Sequence, residues 1–98
     1  MKEELNRKLL VEYMTYIQGI KNKNKEYIIN HAKEIYLKRA IIDEIDILNL
    51  KSSEIKKLLN SKNILKALYE YIVFSNSLEE AVIRENIKEC IYVMKERD

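Results

Sequence analysis

A single glycine, Gly19, and no proline in 98 residues exclude more folds than any motif in this chain admits. Tight hairpin turns and phosphate-cradling loops depend on the positive φ that glycine supplies, and proline presets many of the remaining turns. Sandwiches, barrels, dinucleotide-binding folds and P-loops therefore lack their punctuation. Isoleucine (15 residues), lysine (14) and asparagine (9) dominate instead, and the length supports one hydrophobic core.

Hydrophobic periodicity then points to helices throughout. Leu5, Leu9, Tyr13, Tyr16 and Ile20 step by three or four residues and share a helix face, which Leu10, Met14 and Ile17 widen. Arg7, Lys8, Glu12, Thr15 and Gln18 lie opposite. Gly19 is placed to end this helix in a left-handed conformation, and the Lys-Asn-Lys-Asn-Lys run over 21–25 reads as a solvated loop. From Glu26 a second pattern sets Ile28, Ile29, Ala32, Ile35 and Tyr36 on one face. Beyond Arg39 the stripe moves almost to the opposite side, to Ile41, Ile42, Ile45 and Leu48. No breaker intervenes, so one long central helix packed differently along its length is expected.

Residues 49–53 break the pattern, and Ser52 or Ser53 can cap a short helix carrying Ile55, Leu58 and Leu59. Asn63 can cap the next, whose apolar face is Ile64, Leu65, Ala67, Leu68, Tyr71 and Ile72. Ser77 with Glu80 three residues on forms a capping-box pattern, and a last helix aligns Ile83, Ile87, Cys90, Ile91 and Met94. The expected fold is all-α, a compact bundle of about five helices in a single domain over residues 1–98.

Net charge is +2, too mild for a large nucleic-acid-binding face and of the wrong sign for a DNA mimic. The charge is distributed unevenly: residues 21–40 carry +4 and residues 41–50 carry −3. One cysteine, Cys90, cannot form an internal disulfide, which fits a reducing cytoplasm. No apolar run approaches membrane-spanning length, and the N-terminus lacks the pattern of a secretory signal. A cytoplasmic protein without a membrane partner is expected.

Catalytic chemistry finds little to work with. His31 is the sole histidine, so multi-histidine metal sites and histidine relays are excluded, and its proximity to Glu34 reads as a surface contact. Cys90 lies on the last apolar stripe and reads as a small core residue. Asp43, Glu44 and Asp46 could gather a cation with Glu79, Glu80 or Glu85. Metal-binding bundles add Glu-x-x-His pairs, which are missing here, so a solvated acidic face is the better account. No enzymatic activity, catalytic residue, metal ligand or cofactor is expected.

Two binding readings remain. The segment Ser53–Ile64 and the helix after it have roughly helix-turn-helix spacing. Against that, Lys56 stands where a small residue is needed, Ser61 where an apolar one anchors the turn, and the would-be recognition helix offers Lys66 and Glu70 but no arginine. Lys21, Lys23 and Lys25, with Lys33, Lys38 and Arg39 following, could touch phosphates or simply keep a loop solvated. Among seven tyrosines, Tyr13, Tyr16, Tyr36 and Tyr71 fall on core faces. Tyr69, Tyr92 and Tyr27 project sideways, where an amphipathic ring suits a protein interface. The candidate partner-binding residues are therefore Lys21, Lys23, Lys25, Tyr69 and Tyr92.

The order of segments also carries a resemblance. Leu5-Asn6-Arg7-Lys8-Leu9, then Ile28-Ile29-Asn30-His31-Ala32-Lys33-Glu34, then 50–59 (Leu-Lys-Ser-Ser-Glu-Ile-Lys-Lys-Leu-Leu) and Asn63-Ile64-Leu65-Lys66-Ala67-Leu68-Tyr69 together resemble a family of small all-helical proteins of unknown function. That family occurs mainly in low-GC Gram-positive bacteria, their phages and conjugative elements. Its members are acidic, with a proline after the Asn63 position and a tryptophan shortly after the Tyr69 position, whereas this chain is basic and carries Ile64 and an aliphatic–aromatic run ending at Phe74.

The resemblance implies a helical fold and supplies no catalytic residue. Together with size and composition it leads to the expectation of a non-enzymatic protein-binding module, an anti-CRISPR-like steric inhibitor of a host defence complex whose partner is an effector or nuclease. The alternatives are a small helix-turn-helix-like DNA-binding regulator, with nucleic acid as a secondary partner, and a homodimer that buries spare apolar surface against itself.

Overall fold

The sequence stripes become helices wherever their apolar faces find one another. The computed structural model describes residues 1–74 and 80–94, the side chains of the last helix from Ile83 onward. Among them are six helices and no strand: α1 (Lys2–Lys21), α2 (Lys25–Asn30), α3 (Ala32–Ile47), α4 (Ser52–Leu59), α5 (Ile64–Phe74) and α6 (Glu80–Met94). The all-α expectation is met.

α3 runs antiparallel to α1. The Lys2 ammonium at the start of α1 donates to the Leu48 carbonyl just past the end of α3 (2.7 Å), and the Asn6 amide meets Asp46 at 3.3 Å. α5 is the most enclosed helix, packed against α1, α3 and α6, while α4 closes one side through α1 and α6. Their facing stripes fuse into a single core. Leu5 and Leu9 of α1 meet Leu37, Ile41 and Ile45 of α3, Leu58 of α4, Ile64, Leu68 and Ile72 of α5, and Ile83, Ile87 and Ile91 of α6. Each such side chain contributes roughly 1.5–3 kcal/mol by leaving water.

The central segment departs from expectation at His31. The single long helix is interrupted there, with φ −105° and ψ 9°, so the chain forms α2 and α3 instead. No breaker residue causes this. The His31 Nδ1 lies 2.9 Å from the Tyr27 carbonyl oxygen, the imidazole stacks on the Tyr27 ring with centroids 4.0 Å apart, and the His31 N–H is shared between the carbonyls of Tyr27 and Ile28. The imidazole and the backbone N–H of His31 thus converge on the Tyr27 carbonyl at the residue where the helix is interrupted.

Other local expectations shift for similar reasons. Gly19 stays inside α1, which runs on to Lys21, and its surroundings leave open space for a Cβ. The start of α4 is capped from within the helix: the Lys51 N–H donates to Glu54 Oε1 at 2.9 Å, so neither Ser52 nor Ser53 acts as the cap. Asn63 does cap α5, its Oδ1 accepting the Lys66 N–H at 3.0 Å. The Ser77–Glu80 capping pattern lies outside the described residues. Leu10, Met14 and Tyr36, expected on core faces, are exposed. The inner face of α1 is rotated toward Lys8 and Glu12, which carry the polar contacts described below.

Candidate functional site

The first apolar stripe of the central segment, Ile28, Ile29, Ala32, Ile35 and Tyr36, is the one that fails to reach the core. α2 packs against α1 and α3 yet buries none of its six residues. Tyr27, Ile28 and Ile29 are consecutive, so at 100° per residue they span more than half of the helix circumference and cannot all face one neighbour. Ile29 is 62 % exposed, and Tyr27 and Ile28 also meet solvent. The chain holds this helix in place with local devices: Asn24 Oδ1 accepts the Tyr27 N–H at 2.8 Å, and His31 stacks on Tyr27 at the other end.

Exposed lysines flank that apolar knob along the chain. Lys21 ends α1, Lys23 lies in the connection and Lys25 opens α2; all three are exposed, as is Lys33 in the first turn of α3. Glu26 is the one carboxylate over residues 21–33. The Lys23 ammonium sits 5.7 Å from the centroid of the Tyr27 ring, at the edge of cation–π range. Farther along α3, Arg39 is drawn to Asp43 at 3.6 Å. Lys21, Lys23 and Lys25 are thus exposed on the segment that leads into Tyr27, Ile28 and Ile29, with Lys23 beside the Tyr27 ring.

The tyrosine candidates fall elsewhere. Tyr92 is 65 % exposed on α6, a helix that packs against α3, α4 and α5. Tyr69 is half-buried and packs against the core instead of projecting outward. The reason is Lys38, which the sequence places among the phosphate-touching cations and the fold buries to 6 % exposure. Its ammonium lies 2.8 Å from Glu34 Oε2, 3.6 Å from the centroid of the Tyr16 ring and 5.5 Å from that of Tyr69. Two aromatic faces and one carboxylate replace the water that this charge has lost, at the junction of α1, α3 and α5. The Tyr16 hydroxyl is buried there beside Glu34; burial, then the nearby Glu34 carboxylate, pushes its pKa upward, and the same two causes raise Tyr69.

Beside Lys38 lies a hollow of about 330 Å³ lined in part by Glu12, Tyr16, Lys38 and Lys66. Its acidic group is already committed. Both Glu12 carboxylate oxygens accept backbone N–H groups at the start of α5, from Ile64 at 3.0 Å and Leu65 at 2.8 Å. Four residues earlier, the Lys8 ammonium donates to the carbonyls of Leu59 (3.0 Å) and Ser61 (2.7 Å) at the end of α4. α1 therefore sets a cation on the carbonyl ends of α3 and α4 and an anion on the amide end of α5, each sign matched to the helix dipole it meets.

These contacts also define the α4–α5 pair that has helix-turn-helix spacing. α5 lies between α1, α3 and α6, with its first amides held by Glu12 and Asn63, and turns Lys66, Glu70 and Val73 outward. Among the described residues no group of three histidine, cysteine, aspartate or glutamate side chains is placed to hold a metal ion, and no helix is long and apolar enough to cross a membrane. No protein-family model, no curated protein and no solved structure matches the chain.

Proposed function

We propose that this chain is a protein-binding module, without catalysis of its own, that docks the knob formed by Lys21–Lys25 and α2 on a larger protein. The observation that carries this reading is α2 itself: a helix with an Ile-Ile pair and a tyrosine at its surface, none of its residues buried, in a segment that also exposes Lys21, Lys23, Lys25 and Lys33. Water-exposed apolar side chains clustered inside a charged rim are the composition of a binding patch. The rim selects a partner surface with an apolar centre and acidic surroundings, and the lysines speed encounter with it. Two copies of the knob facing each other would oppose lysine to lysine, so a different protein is the fitting occupant.

In its finer form the proposal is an inhibitor carried by a phage or mobile element, acting as an anti-CRISPR-like steric blocker of a host effector or nuclease complex. Occupying an acidic surface that such a complex needs is sufficient for that role and asks no chemistry of the inhibitor. The rival reading, duplex DNA bound through α4 and α5, would have to use a helix whose first amides are already engaged.

The test uses the tagged full chain as bait in a lysate of the source cell, with and without nuclease, beside an Ile28→Asp/Ile29→Asp variant. Both positions are exposed, so the variant keeps its helical circular dichroism. A stoichiometric protein that survives nuclease and is lost with the variant supports the proposal. Recovery that depends on intact nucleic acid, or a partner indifferent to the variant, overturns it.

A further inference from the structure

A second surface, built from different helices, has a different character. Between α4, α5 and α6 runs a groove of about 470 Å³ whose walls include Ala67, Tyr71, Cys90, Val93 and Met94. Phe74, the only phenylalanine of the chain, stands at its edge and is 91 % exposed. A benzyl side chain in water beside an apolar groove is a knob beside a hole. Burying an aromatic of this kind removes roughly 150–250 Å² from solvent, which makes it the natural anchor of an interface.

The rim chemistry says which partner fits. One lysine, Lys57 of α4, and one glutamate, Glu70 of α5, flank the groove, and neither has an ion-pair partner among the described residues. The Tyr71 hydroxyl donates to Glu89 at 2.6 Å and is spoken for. Among the described residues this surface holds a knob, a hole, one cation and one anion, the set of elements that pairing with a second copy under two-fold rotation calls for. Such an interface requires that each element on one copy meet its counterpart on the other. The knob at α2 fits this condition poorly, because its charge is predominantly basic, with Glu26 the one carboxylate over residues 21–33.

We infer that the α5–α6 groove is a homodimer interface in which Phe74 of each copy enters the groove of the other while Lys57 pairs with Glu70 across the two-fold axis. The interface leaves α2 of each copy outside the contact. It does not depend on the binding role proposed for α2, since the two surfaces share no residue.

Sedimentation equilibrium of the full chain over about a hundredfold concentration range reads the proposal directly. The wild-type mass rises from 11.8 kDa toward twice that value and stops there. Phe74→Asp weakens self-association by about 100-fold or more, with unchanged helical circular dichroism because the side chain it replaces is already in water. Lys57→Glu and Glu70→Lys each weaken it by about fivefold to tenfold, the repulsion being counted twice in a symmetric dimer. An equimolar mixture of these two charge variants regains the dimer, because every rim contact in the mixed pair joins opposite charges. A wild type that stays monomeric, a mass that climbs past the dimer, a dimer that survives Phe74→Asp, or a mixture that fails to recover overturns the inference.

Discussion

Residues 26–48 carry two apolar stripes of similar strength, and the fold treats them in opposite ways. Ile41, Ile42, Ile45 and Leu48 are buried in the core, whereas Ile28, Ile29, Ala32 and Tyr36 are exposed and Ile35 only half-buried. The difference lies in what reaches each stripe. α5 and α6 both pack against α3, whereas the packing of α2 among the described residues is chiefly against α1 and α3. Periodicity reports that a helix has an apolar face; whether that face is covered depends on helices elsewhere in the chain, and here they are too few.

The largest expected effect would break this contrast if it failed to appear. Ile45→Ala removes a fully buried side chain from the second stripe and is expected to cost about 2–4 kcal/mol through lost burial and the cavity left behind. For a domain of this size that is a large share of the total stability. Urea unfolding of the variant reads it as a lowered midpoint at unchanged slope. A loss below about 1 kcal/mol would mean that the two stripes are equally peripheral.

Much of the interior is legible in the linear sequence because it rests on local rules. The stripes of α4, α5 and α6 supply core residues that periodicity assigns to them, α1 does so at Leu5, Leu9 and Ile20 though not at Leu10 and Met14, and Asn63 caps α5 from the position its side chain requires. What escapes linear reading is tertiary. The helix is interrupted at His31, where an imidazole meets the Tyr27 carbonyl, and no helix-breaker rule flags it. Lys38 reads as a solvent-facing cation until Tyr16 and Tyr69, from two other helices, enclose it. The same holds for Lys8 and Glu12: on a helical wheel they belong to the outer face of α1, yet their partners lie more than fifty residues away. The lysine knob is half legible, since the lysines are conspicuous but their neighbours Ile28 and Ile29 pass for core.

Glu12 sharpens the contrast from the other side, because it marks where α1 is tied down. Two backbone amides at the start of α5 depend on its carboxylate, and Glu12→Ala leaves both without that acceptor while removing a negative charge from a helix N-terminus. The expected loss is about 1–2 kcal/mol, again as a shift in the urea midpoint. Glu12→Gln retains one acceptor oxygen and should lose less. If the two variants lose equally, the second amide bond carries no weight.

Gly19 marks the opposite end of α1, one turn from the knob, where no neighbour crowds the backbone. A glycine inside a helix costs roughly 0.5–1 kcal/mol relative to alanine through the extra freedom of the unfolded chain. Gly19→Ala, with open space for its Cβ, is therefore expected to raise stability by about that amount. Amide hydrogen exchange would place the gain in the last turn of α1 and leave the core unchanged. A destabilised variant would mean that the chain bends at Gly19 in a way that a side chain obstructs.

The smallest effect on stability is the one that bears most on function. Ile29→Ser replaces an isoleucine already 62 % exposed, so folding stability should move by no more than about 0.5 kcal/mol in either direction. An isoleucine held in water by a chain that buries Ile41, Ile45, Ile64 and Ile72 completely gives the isolated molecule nothing. Under the proposed binding role its value lies in a second protein, where the same substitution removes apolar burial that the folded monomer never had. Measured side by side, urea unfolding and partner capture should separate: stability unchanged, capture reduced by about tenfold or more. If both fall together, α2 belongs to the core of the domain and the contrast between the two stripes disappears.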